Sequence, residues 1–293
     1  MKKVAAGVLD AAYFEVGPPD GDPVILLHGF PYDAHAYDAA AERLAAAGRR
    51  CIIPFLRGYG PTRFRAADTP RSGQQAALAT DVLALMDALA IPNAVLAGYD
   101  WGGRAACVVA ALWPERARGL VSCGTGYNIQ DIARGEMPVA PEQERRSWYV
   151  YYFNTERGRA GLNMNRHSLC HLIWRLFSPT WAFDDATFAR TAVAFDNPDF
   201  VDVVIHSYRH RLGGVPGDPV LDTIEGRLAA QPDITVPTVV LQGKDDGVDP
   251  PMPLRSVAPH FVGPFEQRTL PGVGHNLPQE APSEFAEAVL ALG

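Results

Sequence analysis

The stretch Ala94-Val95-Leu96-Ala97-Gly98-Tyr99-Asp100-Trp101-Gly102-Gly103 constrains this chain more than any other. Its opening apolar run, with nothing polar to interrupt it, reads as a buried strand. The strand breaks at Gly98, one acid follows, two glycines break it again, and Arg104-Ala105-Ala106-Cys107-Val108 continues as an alanine-rich helix. A strand-to-helix turn this sharp is crowded, and only glycine, with no Cβ, relieves the crowding. The G-x-D-x-G spacing matches a turn that presents a nucleophile at its apex, with a carboxylate where a hydroxyl is usual. Asp100 also reads as an N-cap of a helix starting at Gly102. Both readings need a carboxylate at a helix start, so other parts of the chain must separate them.

The flanking sequence alternates apolar strands with helices. Val4–Val8 and Tyr13–Val16 read as a hairpin turning near Asp10, and Pro23–Leu27 as a fully apolar strand running into His28-Gly29-Phe30-Pro31. Ala34–Ala47 reads as a helix stopped by Gly48, and Cys51–Phe55 as a strand before the loop Arg57-Gly58-Tyr59-Gly60. Ser72 is expected to cap a helix through Ala90, and Gly119–Cys123 reads as another strand. Such alternation predicts an α/β fold, a mostly parallel twisted sheet with helices on both faces.

After Gly124 the character changes: aromatics, His and Arg become dense and apolar strands give way to helical patterns. Arg145–Phe153 reads as one amphipathic aromatic helix, with further helices at His167–Phe177, Asp184–Phe195 and Phe200–Leu212. Residues 128–217 are therefore expected to form a helical cap inserted between two parts of the core, 1–127 and 218–293. Alternation resumes with strand Val236–Leu241, a helix near Met252–Ala258, strand Phe265–Leu270 and a final helix Pro282–Leu292.

Composition narrows the function classes. Across 293 residues the net charge is −7, and no basic patch carries interleaved aromatics, which disfavours nucleic acid or anionic membrane as a partner. No apolar stretch approaches the ~20 residues that span a bilayer. The N-terminus turns polar too soon for a signal peptide. The four cysteines are widely spaced, like small buried hydrophobes in a reducing compartment, so the cytoplasm is the expected location. No ligand-spaced Cys/His cluster suggests a metal and no organic cofactor is expected. A homodimer is left open.

Four pieces fall at the carboxyl ends of the expected strands, where sites form in open α/β sheets. They are His28–Pro31, Asp100, Gly243-Lys244-Asp245-Asp246-Gly247 and Gly272-Val273-Gly274-His275-Asn276. Nucleophile, acid and base then follow in the order Asp100, Asp245 or Asp246, His275. The backbone N–H groups of Phe30 and Trp101 would pair as donors for an oxyanion. His28 is expected to hold its loop through the ring rather than to act as a base.

These motifs resemble the α/β-hydrolases, and within them the epoxide hydrolase branch, from about Tyr13 to the C-terminus. The resemblance rests on His28-Gly29-Phe30-Pro31, Arg57-Gly58-Tyr59-Gly60, Gly98–Gly103, Gly243-Lys244-Asp245-Asp246 and Gly274-His275. It selects Asp246 over Asp245 as the acid. It also implies two cap tyrosines that polarise the epoxide oxygen, here Tyr149 in Tyr149–Phe153 and Tyr208 in Ser207-Tyr208-Arg209-His210, with Tyr152 and Tyr151 as fallbacks. His28, Pro31, Arg104, Trp148 and Tyr152 are the expected substrate contacts, and a small apolar or aromatic epoxide the expected substrate. The chain departs from the pattern at Tyr99, where these enzymes often have His, and at Leu56, where they often have Asp. Arg104 matches an arginine that haloacetate dehalogenases, a sibling branch, use for a substrate carboxylate. Trp101 is similar to both epoxide hydrolases and haloalkane dehalogenases. Haloalkane or haloacetate dehalogenation by the same Asp is thus the second reading, and a catalytically silent binding protein the third.

Overall fold

The computed structural model describes residues 1–293. The core opens with strands β1 (Lys2–Ala6), β2 (Leu9–Val16) and β3 (Asp22–Leu27), helix α1 (Asp38–Ala46), β4 (Arg49–Pro54) and the short β5 (Arg63–Phe64). Helix α2 (Gln75–Ala88), β6 (Ala94–Gly98), α3 (Asp100–Leu112) and β7 (Ala117–Cys123) follow. Between β7 and the next strand lie α4 (Pro141–Arg146), α5 (Trp148–Phe153), α6 (Glu156–Phe177), α7 (Asp185–Ala192), α8 (Phe200–Arg211) and α9 (Asp222–Ala229). The chain ends with β8 (Thr238–Gly243), α10 (Leu254–Val257), β9 (Phe265–Leu270), α11 (Leu277–Glu280) and α12 (Pro282–Leu290).

The strands form one sheet in the order β1-β2-β4-β3-β6-β7-β8-β9, with β5 paired to β2. It is parallel from β4 to β9 and antiparallel at the β1-β2-β4 edge. The chain passes from β3 outward to β4 and returns to β6 on the other side of β3. The crevice above β3 and β6 is thus the topological switch point, where open α/β sheets bind ligands. Val24–Leu27 and Ala94–Ala97 are almost wholly excluded from solvent, as strands covered by helices on both faces must be.

Several expected boundaries move, each for a local reason. The N-terminal hairpin turns at Gly7-Val8, not near Asp10, because Ala6 pairs with Leu9 and the tight turn needs the positive φ (+56°) that Gly7 supplies. Ser72 does not cap α2: its hydroxyl is spent on Gln74, accepting from that residue's N–H and donating to its side-chain oxygen, and the helix starts at Gln75. The aromatic helix expected over 145–153 breaks at Ser147. Arg145 and Arg146 then stay outside on Glu142, while Tyr149, Val150 and Phe153 turn inward. Proline at 250, 251 and 253 delays α10 to Leu254. All four cysteines are buried and free.

The inserted helices are pinned to the core at named points. Asn197 donates to the carbonyls of Gly60 and Thr62, and Gly60 N–H donates to the Ala194 carbonyl. The Trp174 indole donates to the Pro31 carbonyl at 2.7 Å. Thr191 donates to the buried carboxylate of Asp33 at 2.9 Å. Arg57 holds its own loop through a two-pronged bond to Asp81. Helix α9 packs back against α2 of the core. No helix is long and apolar enough to cross a membrane.

Candidate active site

The site is assembled from the carboxyl ends of β3, β6, β8 and β9, with the inserted helices above. At the end of β6, Asp100 has φ +49°, the left-handed region that costs a residue with a Cβ about 1–2 kcal/mol. The strain is sustained by close backbone packing. A Cβ on Gly102 would lie 1.9 Å from the Leu27 carbonyl oxygen, and one on Gly29 would lie 2.6 Å from the Asp100 Cβ. These glycines let α3 and the His28 loop close around the acid.

The geometry separates the two readings of Asp100. Tyr99 occupies the N-cap of α3, and no side chain caps the helix. The Asp100 carboxylate turns away from its helix and accepts the Phe30 N–H on Oδ1 at 2.6 Å. Its Oδ2 lies 3.8 Å from His275 Nε2. His275 Nδ1–H donates to Asp246 Oδ2 at 2.8 Å, and Asp246 Oδ1 accepts the N–H groups of Val248 and Asp249, each at 2.8 Å. Asp246 is buried and aligned on His275. Asp245 is only partly buried, its own N–H given to the Val273 carbonyl.

Charges and burial compete throughout this row. Burial alone would favour neutral His275, but Asp246 and Asp100 outweigh it and hold the imidazole well above its ordinary range. Burial would likewise raise Asp100; the His275 imidazole, the Arg104 charge and the Phe30 N–H hold it below the ordinary carboxylate range. His275 Nε2 is buried with no hydrogen-bond partner, so the nitrogen facing Asp100 is uncommitted.

Above Asp100, Tyr149 and Tyr208 are buried with ring centroids 5.5 Å apart, and both rings pack on Phe30. Burial and the nearby Asp100 charge raise both phenols, keeping them protonated, and no protein hydrogen bond ties up either hydroxyl. The two fallback tyrosines lie elsewhere. Tyr151 is exposed and bonds Glu144, and the Tyr152 hydroxyl is pressed to α6, where a Cβ on Gly161 would sit 1.9 Å from it.

A cleft of about 350 Å³ reaches Asp100, Arg104 and Tyr149 between β7, α5 and the end of α8. Of the expected substrate contacts, only Arg104 lines it. His28 is wholly buried: Nε2 accepts the Leu56 N–H and Nδ1 donates to the Gly29 carbonyl, and burial lowers it to about 4, so it is a neutral strut. Pro31 gives its carbonyl to Trp174. Trp148 lines a different groove, on the outer side of Asp246, and Tyr152 packs on α6. These four are corrected from substrate contacts to structural positions.

Residues that the sequence reading missed also enter. Asp249 lines the cleft, pushed up to about 6 by burial and the Asp246 charge. Arg211 reaches the same cleft from α8. Arg211 follows Tyr208 by three residues, a helical neighbour spacing that would have flagged it. Ser178 accepts the His275 N–H at 3.0 Å and donates to Glu280 at 2.6 Å, while Glu280 also accepts the Gly274 and Asn276 N–H groups. No local pattern marks that pair.

The description "alpha/beta hydrolase fold" matches residues 22–280. The chain belongs to the α/β-hydrolase family. Within it, the chain is 27% identical to epoxide hydrolase A of Mycobacterium tuberculosis, over 94% of this chain and 91% of that one. It is 32% identical to epoxide hydrolase B of the same organism, but that match spans 48% of this chain and 43% of the relative's length. A Klebsiella pneumoniae structure, provisionally described as an epoxide hydrolase, superposes with a TM-score of 0.97 at 50% identity, covering 99% of this chain and 96% of that one. This chain's strand-to-helix turn carries a carboxylate, Asp100, where a hydroxyl is usual.

Proposed function

We propose that this chain hydrolyses epoxides to vicinal diols through a covalent ester on Asp100. The observation that supports the reading is the pairing of an elbow carboxylate that caps no helix with two unpartnered phenols packed on Phe30, the residue whose N–H that carboxylate accepts. Asp100 Oδ2 attacks a ring carbon; the carbon–oxygen bond breaks, and Tyr149 or Tyr208 gives a proton to the leaving oxygen. A halide needs no proton on leaving, so the paired phenols favour epoxide opening over dehalogenation. Residues 128–217 act as the lid that brings those phenols over the carboxylate.

The second step follows from the electrostatics of the first. Esterification removes the Asp100 charge that helps hold His275 protonated, so the imidazolium gives up its proton, which restores the phenol that protonated the leaving oxygen, and the neutral imidazole is then a base. His275, oriented by Asp246, takes a proton from water, and the hydroxide adds to the ester carbonyl carbon. The oxyanion forms on Oδ1, where the Phe30 N–H already donates; the Trp101 N–H, in the first turn of α3, has no intrahelical acceptor and supplies the second donor. Each such donor is typically worth about 2.7–4 kcal/mol. Collapse expels the diol oxygen, which takes the proton from His275, and the Asp100 carboxyl proton then passes to the imidazole, restoring the starting charges.

The test is a His275→Gln variant incubated with styrene oxide. Mass spectrometry should show the Asp100 peptide heavier by one epoxide, while the unmodified chain yields phenylethanediol. Absence of both adduct and diol with a panel of epoxides would sink the proposal.

A further inference from the structure

We propose that the groove on the outer side of Asp246 is a second ligand site, one that binds a phosphate monoester carrying a planar ring. It lies outside the cleft over Asp100, and its binding does not depend on the epoxide reading.

The groove holds about 510 Å³, within the range of roughly 300–1,000 Å³ that small-molecule sites occupy. Arg145, Arg146 and Trp148 reach it from α4 and α5, Arg175 from the last turn of α6, and Lys244 from the position after β8. These segments are far apart in the chain, so only the fold gathers their charges into one recess.

Those charges do not balance. Glu142 pairs with both Arg145 and Arg146, and Asp245 lines the groove half-buried. Asp246 lines it too, but its carboxylate oxygens are taken by His275 and by the N–H groups of Val248 and Asp249. Asp185, exposed in the adjoining recess that Arg175 also borders, lies 4.0 Å from His171. Four cations therefore meet two available carboxylates, in a chain whose net charge is −7. The side chains of Arg175 and Lys244 are exposed and make neither an ion pair nor a hydrogen bond. A phosphate monoester carries a charge of about −1.5 to −2 at pH 7, close to that surplus. A long polyanion is disfavoured, because it would run past the recess onto an acidic surface, beyond the Debye length of about 8 Å.

The lining also has an apolar side. Trp148 is half-buried; Tyr149 and Tyr152 pack on it with ring centroids at 6.2 and 6.0 Å, and its remaining surface lines the groove. Leu176 and Pro179 extend that side. Guanidiniums match phosphate oxygens through paired N–H···O bonds, and an indole offers a ring its stacking area. A bare phosphate would leave the apolar side wet, and a neutral ring would leave the cations unpaired.

The groove straddles the seam between the inserted helices and the loop of the acid. Arg146 Nη1 donates to the Asp246 carbonyl at 3.4 Å, and the Gly247 N–H donates to the Phe177 carbonyl at 2.9 Å. A ligand held by Arg175 and Lys244 together adds another tie across that seam. Because the unfolded chain lacks the groove, such a ligand also raises the melting midpoint.

Calorimetry with AMP, phenyl phosphate, inorganic phosphate and adenosine tests the site. One of the two ring-bearing phosphates should bind at a single site at least about tenfold more tightly than inorganic phosphate, with adenosine weaker still. A preference for AMP would point to a nucleotide, and one for phenyl phosphate to a simple aryl ester; either upholds the site. The double variant Arg175→Gln/Lys244→Gln, whose exposed, unpaired side chains hold no part of the fold, should melt as the unmodified chain does and bind about tenfold more weakly or worse. Trp148→Ala should bring the ring-bearing phosphate down to the level of inorganic phosphate. No saturable binding of any probe would overturn the proposal, as would binding unchanged in the double variant. Equal binding of inorganic and ring-bearing phosphate by the unmodified chain would overturn the ligand class.

Discussion

The two walls of the cleft are built in opposite ways. On the core side, the groups that hold the row are committed, with His275 Nε2 left open toward Asp100: Asp246 takes three donors, His28 uses both ring nitrogens, and the Phe30 N–H already sits on Asp100. On the side of the inserted helices, the phenols of Tyr149 and Tyr208 have no protein hydrogen-bond partner, and Tyr149 and Arg211 line the cleft. Saturated groups cannot rearrange without cost, which suits a wall that repeats one reaction. Unsatisfied groups await a partner from outside, which suits a wall that selects the molecule. On the proposed mechanism the core thus runs ester breakdown, while the inserted helices supply the groups that meet the incoming molecule and its leaving oxygen.

The sharpest way to break that division is Asp246→Asn. If the core wall alone runs the second step, kcat should fall about 10³–10⁴-fold and ester should accumulate on Asp100, seen by rapid quench and mass analysis. A loss of only a few-fold would mean that Asp249, three residues on, can replace it. Next in size, Tyr149→Phe combined with Tyr208→Phe should slow ester formation about 10²–10³-fold while leaving ester breakdown unchanged in single-turnover experiments. Equal slowing of both steps would erase the distinction between the walls.

Glu280→Gln probes whether the core wall's rigidity matters. It puts an amide donor among the Ser178, Gly274 and Asn276 donors and should slow ester breakdown about tenfold, from about 1–2 kcal/mol of lost alignment at His275. Ester formation should not change.

The smallest effect on catalysis is expected at the seam between the walls, where the readout is stability. Burial raises the Asp33 carboxyl to about 7 despite the Thr191 and His35 donors, against about 3.9 in the unfolded chain. The folded chain therefore binds the extra proton between pH 4 and 7. The stability this proton confers is full below pH 4 and is lost as pH rises through 7. Asp33→Asn removes that dependence, so urea titrations should favour the variant at pH 8 relative to pH 4 by on the order of 4 kcal/mol. A pH-independent difference would show that Asp33 is not held neutral.

Much of this wall was legible from residue order because its determinants are local. Gly98, Gly102 and Gly29 signalled close backbone approach, and the four strand-end motifs fell where an alternating α/β pattern puts them. The status of Asp100 was not legible. Capping and attack require the same residue, and what distinguishes them is a positive φ and a donor 70 positions earlier in the chain. Three of the expected substrate contacts fall outside the cleft for the same reason: His28, Pro31 and Tyr152 lie in or near the motifs, but their places are set by Leu56, Trp174 and Gly161, which only the fold brings near. Helix ends shifted where prolines or side-chain-to-backbone bonds outcompeted the apolar period, as at Ser72 and Pro253.

The dipeptide Phe177-Ser178, at the end of α6, has a bearing on how hybrids of this family should be cut. Phe177 accepts the N–H of Gly247, next to the acid, and Ser178 accepts the N–H of His275. The helices that choose the substrate therefore also clasp the loops of both acid and base. A graft that exchanges residues 128–217 wholesale, on the view that they are a detachable module, would remove two fastenings of the recipient's own catalytic row. Successful exchange should splice around Phe177-Ser178, or import Ser178 together with Glu280, so that the transplanted specificity arrives without loosening the base.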